Sequence, residues 1–183
     1  MIDLLGLHKE FLSRHIKEGD TVVDMTMGNG HDTLWLSDKV GEHGRVFAFD
    51  IQQSALDSTR GLLEKEAGSS NYELILDSHS NVKKYVSSPI KAAVFNLGYL
   101  PGGDKSVTTL LDTTLAAVTA AIDLLGPDGI VLIAVYPGHA EGRREGGALE
   151  EFLSGYDRKK YCVTCIKIIN SPDSPYFIMV ESK

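Results

Sequence analysis

Cysteine is scarce: the 183 residues hold two, Cys162 and Cys165. A four-ligand zinc site would need a second pair, and there is none. The two lie within residues 161–169, an alternating, β-branched run that reads as a strand. Side chains three apart on a strand face opposite ways, so a redox pair is disfavoured as well. The expectation is two structural thiols and no metal. Long apolar runs are also missing, which excludes a membrane-spanning helix. The opening Met1-Ile2-Asp3-Leu4-Leu5 has no basic segment ahead of an apolar one, so no signal peptide is expected and the cytoplasm is the expected location. Positive charge is in deficit, with 18 Lys and Arg against 25 Asp and Glu and a formal net charge of −7. Such a chain does not coat nucleic acid by charge alone, although a structured RNA can still dock on a local basic face. Repeats, low-complexity stretches and linkers are absent. One domain over residues 1–183 is expected, large enough for a real core.

The most informative stretch is Val22-Val23-Asp24-Met25-Thr26-Met27-Gly28-Asn29-Gly30-His31-Asp32-Thr33-Leu34. A short apolar run ends in an acid, a glycine-containing turn follows, and an apolar periodic segment begins. That order predicts strand, tight turn and helix. Gly28 and Gly30 permit positive φ and close approach of a ligand to the backbone. Free N–H groups near His31, Asp32 and Thr33 would face an anionic group. Residues 45–49 read as a second strand ending at Asp50, where an acid can accept hydrogen bonds from a ribose. Two cofactors fit such a site. A dinucleotide fingerprint prefers a third glycine or an alanine where Thr33 stands. The acid at Asp24 resembles the one that opens the first motif of class I S-adenosylmethionine-dependent methyltransferases, usually Asp/Glu-x-Gly-x-Gly-x-Gly. Thr26 replaces the first glycine of that pattern.

Alternation continues along the chain. An amphipathic helix opens it, carried by Leu4, Leu5, Leu7, His8, Phe11, Leu12 and Ile16 and ending near Gly19. Strands are predicted over 21–25, 45–49, 72–76, 92–95 and 130–135. Helices are predicted over 32–40, from a capping Ser54, over 106–125 and over about 148–153. Gly126-Pro127-Asp128-Gly129 reads as a helix stop. The last strands, 161–169 and 176–180, are joined by Ser171-Pro172-Asp173-Ser174-Pro175. That link is too short for a helical crossover, so this pair should be antiparallel. The sum is an α/β, Rossmann-like sheet of seven strands, mostly parallel with an antiparallel last strand, and helices on both faces. The reversed strand resembles the class I methyltransferase fold and not the usual dinucleotide fold.

Ligands of open α/β sheets bind beyond the carboxyl ends of the strands. Those ends carry Asp24 to Gly30, then Asp50 with Gln52 and Gln53, Asp77-Ser78-His79, Asn96 to Gly103, and Tyr136-Pro137-Gly138-His139. Asp77-Ser78-His79 resembles the third region of class I methyltransferases, whose side chains flank the adenine. Asn96-Leu97-Gly98-Tyr99 sits where amino-methylating enzymes carry Asp/Asn-Pro-Pro-Tyr/Phe, with both prolines missing. An Asn carbonyl can hold an amine N–H and aim its lone pair. Tyr99 can stack on a base or favour a cationic donor. His139 can serve as a proton acceptor or as a structural loop residue. His8, His15, His31 and His43 are weaker candidates, and His31 would reach the methyl donor. Lys105, Arg143, Arg144, Arg158, Lys159 and Lys160 are the basic groups available to RNA.

Taken together, Asp24-x-Thr26-x-Gly28-Asn29-Gly30-His31-Asp32-Thr33, Asp50-Ile51-Gln52, Ser78-His79, Asn96 to Lys105 and Tyr136-Pro137-Gly138-His139 resemble the bacterial family long labelled rRNA methylase. The likeness covers essentially the whole chain. Characterised members are similar to a tRNA wobble-uridine enzyme that methylates the amino group of 5-aminomethyl-2-thiouridine. The resemblance implies S-adenosyl-L-methionine as donor and a tRNA anticodon stem-loop as substrate. It places Asn96, Tyr99 and His139 as catalytic residues. Asp24, Thr26, Met27, Gly28, Asn29, Gly30, His31, Asp32, Thr33, Asp50, Gln52, Gln53, Asp77, Ser78 and His79 would bind the cofactor, and Lys105, Arg143 and Arg144 the RNA. No membrane is implied, and a homodimer stays open. The alternatives are an rRNA or small-amine methyltransferase, an NAD-dependent oxidoreductase and a non-catalytic nucleotide-binding module.

Overall fold

The computed structural model describes residues 4–87, 89–103 and 107–183. The order is α1 (Leu4–His15), β1 (Thr21–Asp24), α2 (His31–Val40), β2 (Arg45–Asp50), α3 (Gln53–Glu66), β3 (Tyr72–Leu76), a 3₁₀ turn (His79–Lys84), β4 (Ile90–Asn96), α4 (Leu111–Leu124), β5 (Leu125–Val135), α5 (Ala140–Ser154), β6 (Tyr161–Ile166) and β7 (Tyr176–Ser182). The seven strands form one sheet in the order β3-β2-β1-β4-β5-β7-β6. Strands β1 to β5 pair in parallel, and β7 runs antiparallel between β5 and β6. This is the expected architecture. Among the described residues no helix is long and apolar enough to cross a membrane.

Alternating side chains divide the core into two layers. Val23, Phe47, Phe95, Ile133 and Ile178 face the layer filled by Val118 of α4 and Leu149 of α5. Val22, Val46, Val94, Leu132 and Phe177 face the layer filled by Leu12 of α1 and Leu36 of α2. The central strands are therefore covered on both sides and read as near-continuous apolar runs. Polar groups are pushed to the carboxyl ends of those strands.

Several boundaries differ from expectation. The helix expected over 106–125 begins at Leu111. Residues 108 and 109 are held in an extended loop instead. Thr108 bridges Tyr99, and the Thr109 N–H donates to the Gly98 carbonyl at 3.0 Å. Strand β5 starts at Leu125, so the expected stop at 126–129 is drawn into the sheet. Ser182 Oγ accepts from the Gly129 N–H at 2.8 Å and donates to the Gly126 carbonyl at 2.7 Å. Ser54 does not cap α3; Gln52 precedes the helix and no side chain caps it. Cys162 and Cys165 are free but exposed, so they are not packed thiols. Strand β6 is an edge strand without a fully buried position.

Helix α5 was expected only over its last turns, because Gly142, Gly146 and Gly147 obscure its start. Gly142 and Gly146 are there for contact. A Cβ on Gly146 would meet the Tyr176 hydroxyl and lie 2.8 Å from Val135 Cγ1. A Cβ on Gly142 would meet the Tyr136 carbonyl oxygen. The helix lies flush on the sheet and keeps the loop before it, at His139, close to β5. Gly146→Ala should therefore destabilise the fold by about 1–3 kcal/mol, the usual scale of overpacking. Chemical denaturation checks this, and the exposed Gly147→Ala serves as the control expected to be neutral or stabilising.

Candidate active site

A cavity of about 1150 Å³ opens at the carboxyl ends of β1 to β5. Its floor is the β1–α2 turn. Beneath that turn Asp24 is fully buried. One carboxylate oxygen accepts the Thr26 N–H at 3.1 Å and the other accepts the Thr33 hydroxyl at 2.6 Å. Burial first, and then the charge of Asp32, pushes the Asp24 carboxyl up to about 7 against these two hydrogen bonds. Gly28 has φ 52° and Gly30 φ 85°, both in the left-handed region that glycine tolerates. A Cβ on Gly30 would come within 2.9 Å of Thr59 Cα, so α3 closes against the turn at that point. The Gly28 N–H donates to Asp50 at 3.1 Å, and the other Asp50 oxygen accepts the Gln52 N–H at 3.0 Å.

The third strand end is built around Asp77. Its oxygens accept from the Ser78 N–H, the Asn81 amide and the Tyr85 hydroxyl, and the last two of these side chains lead in holding the carboxyl below its ordinary range. His79 is buried, and its Nδ1 donates to the Met25 carbonyl at 3.1 Å, since a carbonyl can only accept. Burial holds His79 below the usual imidazole range. Its Nε2 therefore presents a lone pair, and it has no partner.

At the end of β4, Asn96 is fixed from two sides. Its N–H donates to Thr26 Oγ1 at 2.7 Å, and its side-chain Nδ2 donates to Asp32 at 2.8 Å. The second contact sets the amide orientation, because a carboxylate can only accept; Asn96 Oδ1 is left as an acceptor. The other Asp32 oxygen contacts His8 Nε2 at 3.2 Å, and Lys9 lies 3.9 Å away. Burial raises the Asp32 carboxyl, but the hydrogen bond and charge of His8, with Asn96 and Lys9, outweigh it and hold the group below its ordinary range.

The opposite wall is formed by residues 97–101 and 107–110 and the loop before α5. Tyr99 and His139 face each other with ring centroids 6.0 Å apart. His139 caps α5, its Nδ1 accepting the Gly142 N–H at 3.1 Å. The proton of the neutral ring then sits on Nε2, which is buried without a partner. Thr108 Oγ1 is buried and unpartnered as well. Behind this wall Glu145 is fully buried and accepts from Thr109 and Thr114, each at 2.7 Å. Thr109 Oγ1 in turn accepts the Gly98 N–H at 3.0 Å.

Of the residues singled out in the sequence, Thr26, Met27, Gly28, Asn29, His31, Asp32, Asp50, Gln52, Asp77, Ser78, His79, Asn96, Tyr99 and His139 all line the cavity. Asp24, Gly30 and Thr33 support it from below without lining it. Gln53 is turned along α3 to Asp57 at 2.8 Å. Arg143 donates to the Pro137 carbonyl at 2.8 Å and lies 3.7 Å from Asp173, while Arg144 pairs with Glu141 at 3.4 Å; neither arginine lines the cavity. Lys105 lies outside the described residues. Thr108, Glu141 and Asp173 line it without having been singled out. Their positions depend on loop geometry, for which the sequence holds no periodic signal.

Strand order, the acid-flanked glycine turn and the cavity at the strand ends define a class I methyltransferase fold. The same fold occurs, with a TM-score of 0.91 and 37% identity over 100% of this chain and 99% of the other, in a methyltransferase of Streptococcus mutans solved with SAH. The family model described as "Putative rRNA methylase" matches residues 46–181, and the chain belongs to that family. An rRNA-methylase structure from Clostridium thermocellum is 41% identical, with a TM-score of 0.95 over 100% of this chain and 99% of that one. A chloroplastic tRNA (mnm(5)s(2)U34)-methyltransferase of Arabidopsis thaliana is 41% identical over 175 residues, which is 90% of this chain and 64% of that protein. The chain thus spans less than two thirds of that relative's length.

The raised Asp24 carboxyl makes stability depend on pH. Its unfolded value is 3.8 and its folded value about 7. A group raised on folding contributes stability that is whole below pH 3.8 and is lost as pH rises through about 7. Wild-type unfolding free energy should carry a falling contribution across this window, with a slope of up to about 1.4 kcal/mol per pH unit. Asp24→Asn removes that contribution, and denaturant titrations at several pH values should show the flatter curve.

Proposed function

We propose that this chain is an S-adenosyl-L-methionine-dependent tRNA methyltransferase. It N-methylates the 5-aminomethyl group of wobble 5-aminomethyl-2-thiouridine to the 5-methylaminomethyl form. The observation that carries this reading is Asn96. Its backbone N–H is held by Thr26 and its side-chain Nδ2 by Asp32, so that a bare side-chain carbonyl oxygen remains at the cavity wall beside the glycine turn. A neutral acceptor there can hold an amine N–H and orient the lone pair. The Arabidopsis relative's activity on wobble uridine supports the substrate, and the SAH-bound Streptococcus structure supports the donor.

The residues present fit such a donor. The buried Nε2 of His79 has no protein partner, and Gly28 leaves the turn open to a ligand. When bound, the donor supplies an electrophilic methyl group. Asp50 would accept the ribose hydroxyls, and the turn 26–30, with His31 and Asp32 after it, would face the methionine part. Asp77, Ser78 and His79, with Gln52 and Gln53 nearby, would flank the adenine. Asp24, Gly30 and Thr33 would hold that turn. Tyr99 would offer a face to the incoming base, and His139 an N–H donor, because its Nδ1 is taken by Gly142. In this reading the anticodon stem-loop docks in the cytoplasm on a surface that includes Arg143 and Arg144, and Lys105 is the third basic group assigned to the RNA. A homodimer is part of the same reading, and sedimentation at monomer mass would reject it.

The family label favours a second reading, in which the substrate is rRNA. Mass spectrometry of nucleosides from a deletion strain decides between them. The proposed function predicts that tRNA accumulates 5-aminomethyl-2-thiouridine while rRNA is unchanged; loss of an rRNA methyl mark with intact tRNA supports the other. Asp50→Ala should weaken SAH binding by about 1–3 kcal/mol in calorimetry, the scale of a lost charged hydrogen-bond partner. Replacing Arg143 and Arg144 together with alanine should flatten the salt dependence of tRNA binding by about one to two units of log–log slope.

A further inference from the structure

We propose that Asp32 is the proton acceptor for the substrate ammonium, and that His8 of α1 is the positioning residue that holds it. This rests on the amine reading above. An alkylamine is mostly protonated at neutral pH, with a lysine-like value of about 10.4. The protonated nitrogen has no lone pair, so a group near Asn96 has to take one proton before the nitrogen can attack.

The other candidates are occupied, except His79, whose unpartnered Nε2 is assigned to the adenine in the reading above. His139 receives the Gly142 N–H on Nδ1, so the ring nitrogen left over is a donor. Asp50 is held by two N–H groups of its own turn region, Gly28 and Gln52. Asp77 is held by three donors. Glu141 and Asp173 pair with Arg144 and Arg143. Asp32 alone among these carboxylates touches Asn96, at 2.8 Å, and it lines the cavity. A carboxylate has about four lone-pair positions. The His8 and Asn96 contacts leave room for a third donor. An amine whose N–H is accepted by Asn96 Oδ1 is thereby brought to the side of the same carboxylate.

The step balances as follows. One N–H bond of the substrate ammonium breaks and an O–H bond forms on Asp32, and the nitrogen keeps the electron pair. That pair forms the new N–C bond as the donor's sulfur–methyl bond breaks, its electron pair staying on sulfur to give the neutral thioether. The product leaves as a secondary ammonium, and Asp32 returns its proton to solvent, one proton per turnover. The groups facing Asp32 are His8 and Lys9 from α1, Asn96 from β4, Asp24 from β1 and Tyr136 beyond β5. His8 and Lys9 favour the ionised carboxylate, and Asp24 opposes it.

The test uses the full chain, tRNA carrying 5-aminomethyl-2-thiouridine, and single-turnover rates from about pH 4 to about pH 10, spanning the carboxylate and the amine. Asp32→Asn keeps a carbonyl for Asn96 but cannot take a proton. It should lose about 100-fold at pH 7, the lower end for acid–base catalysis. The deficit should shrink toward the highest pH, where solvent supplies the neutral amine. Rates are read at saturating donor, so that any loss of donor affinity at Asp32, which also faces the methionine part, does not enter them. His8→Ala removes a donor from Asp32 and should move the acid limb of the profile to higher pH. An Asp32→Asn deficit of constant size at every pH, or a His8→Ala limb that overlies wild type, overturns the proposal while leaving the amine substrate standing. A wild type that transfers no methyl to this nucleoside overturns the amine reading and the proton acceptor with it.

Discussion

A carboxylate without water around it holds the site together. Asp24 is fully buried, and its oxygens take the Thr26 N–H and the Thr33 hydroxyl. Those two contacts tie the end of β1 to the first turn of α2. Both attachments of Asn96 run back through the same region. Its N–H goes to the Thr26 side chain, and its amide goes to Asp32, which precedes Thr33. Position and orientation at the end of β4 are therefore set by one buried acid on the neighbouring strand. The cost of burying that acid appears in its raised proton affinity, which two hydrogen bonds do not cancel.

The same contacts explain where this chain departs from the glycine pattern of its fold class. Thr26 stands where a glycine is usual. A glycine there would leave the turn intact but remove the hydroxyl that accepts the Asn96 N–H at 2.7 Å. That N–H lies beyond the last β1–β4 pair, Asp24 with Val94, and would otherwise need another acceptor. The departure from that pattern at Thr26 is the link between the turn and the β4 end.

The fold was legible because its signals are local and periodic. Apolar runs of β1, β4 and β5, glycine stops and the short 171–175 link each specify an element or its direction. What escaped was decided by tertiary contact. Residues 108 and 109 carry helix-compatible neighbours but are captured by Tyr99 and Gly98. The first turns of α5 are glycine-rich because β5 and Tyr176 leave no space, and that spacing cannot be seen along one chain. For the site, residues that follow strand ends were found by topology alone. His8 stood only among the weaker candidates, because it lies far from the turn in sequence. Its helix packs under the sheet on the side of α2, and only the fold carries its ring to Asp32.

That packing changes the electrostatics of the β4 end. Asn96 by itself is neutral and would not stabilise an ammonium. With Asp32 at 2.8 Å the pair is an acceptor amide backed by an ionised carboxylate, itself balanced by His8 and Lys9. A neutral amide can orient an amine in any protonation state, whereas the carboxylate attracts the cationic form and offers it somewhere to leave a proton. Asp173 and Glu141 add negative charge to the cavity lining, each paired with an arginine that lies off it. A polyanionic RNA approaching such a lining is repelled along its backbone and drawn in only where it carries positive charge. On the proposed function, an aminomethyl group on a base supplies that charge at one atom, and an acidic lining favours it over an uncharged base.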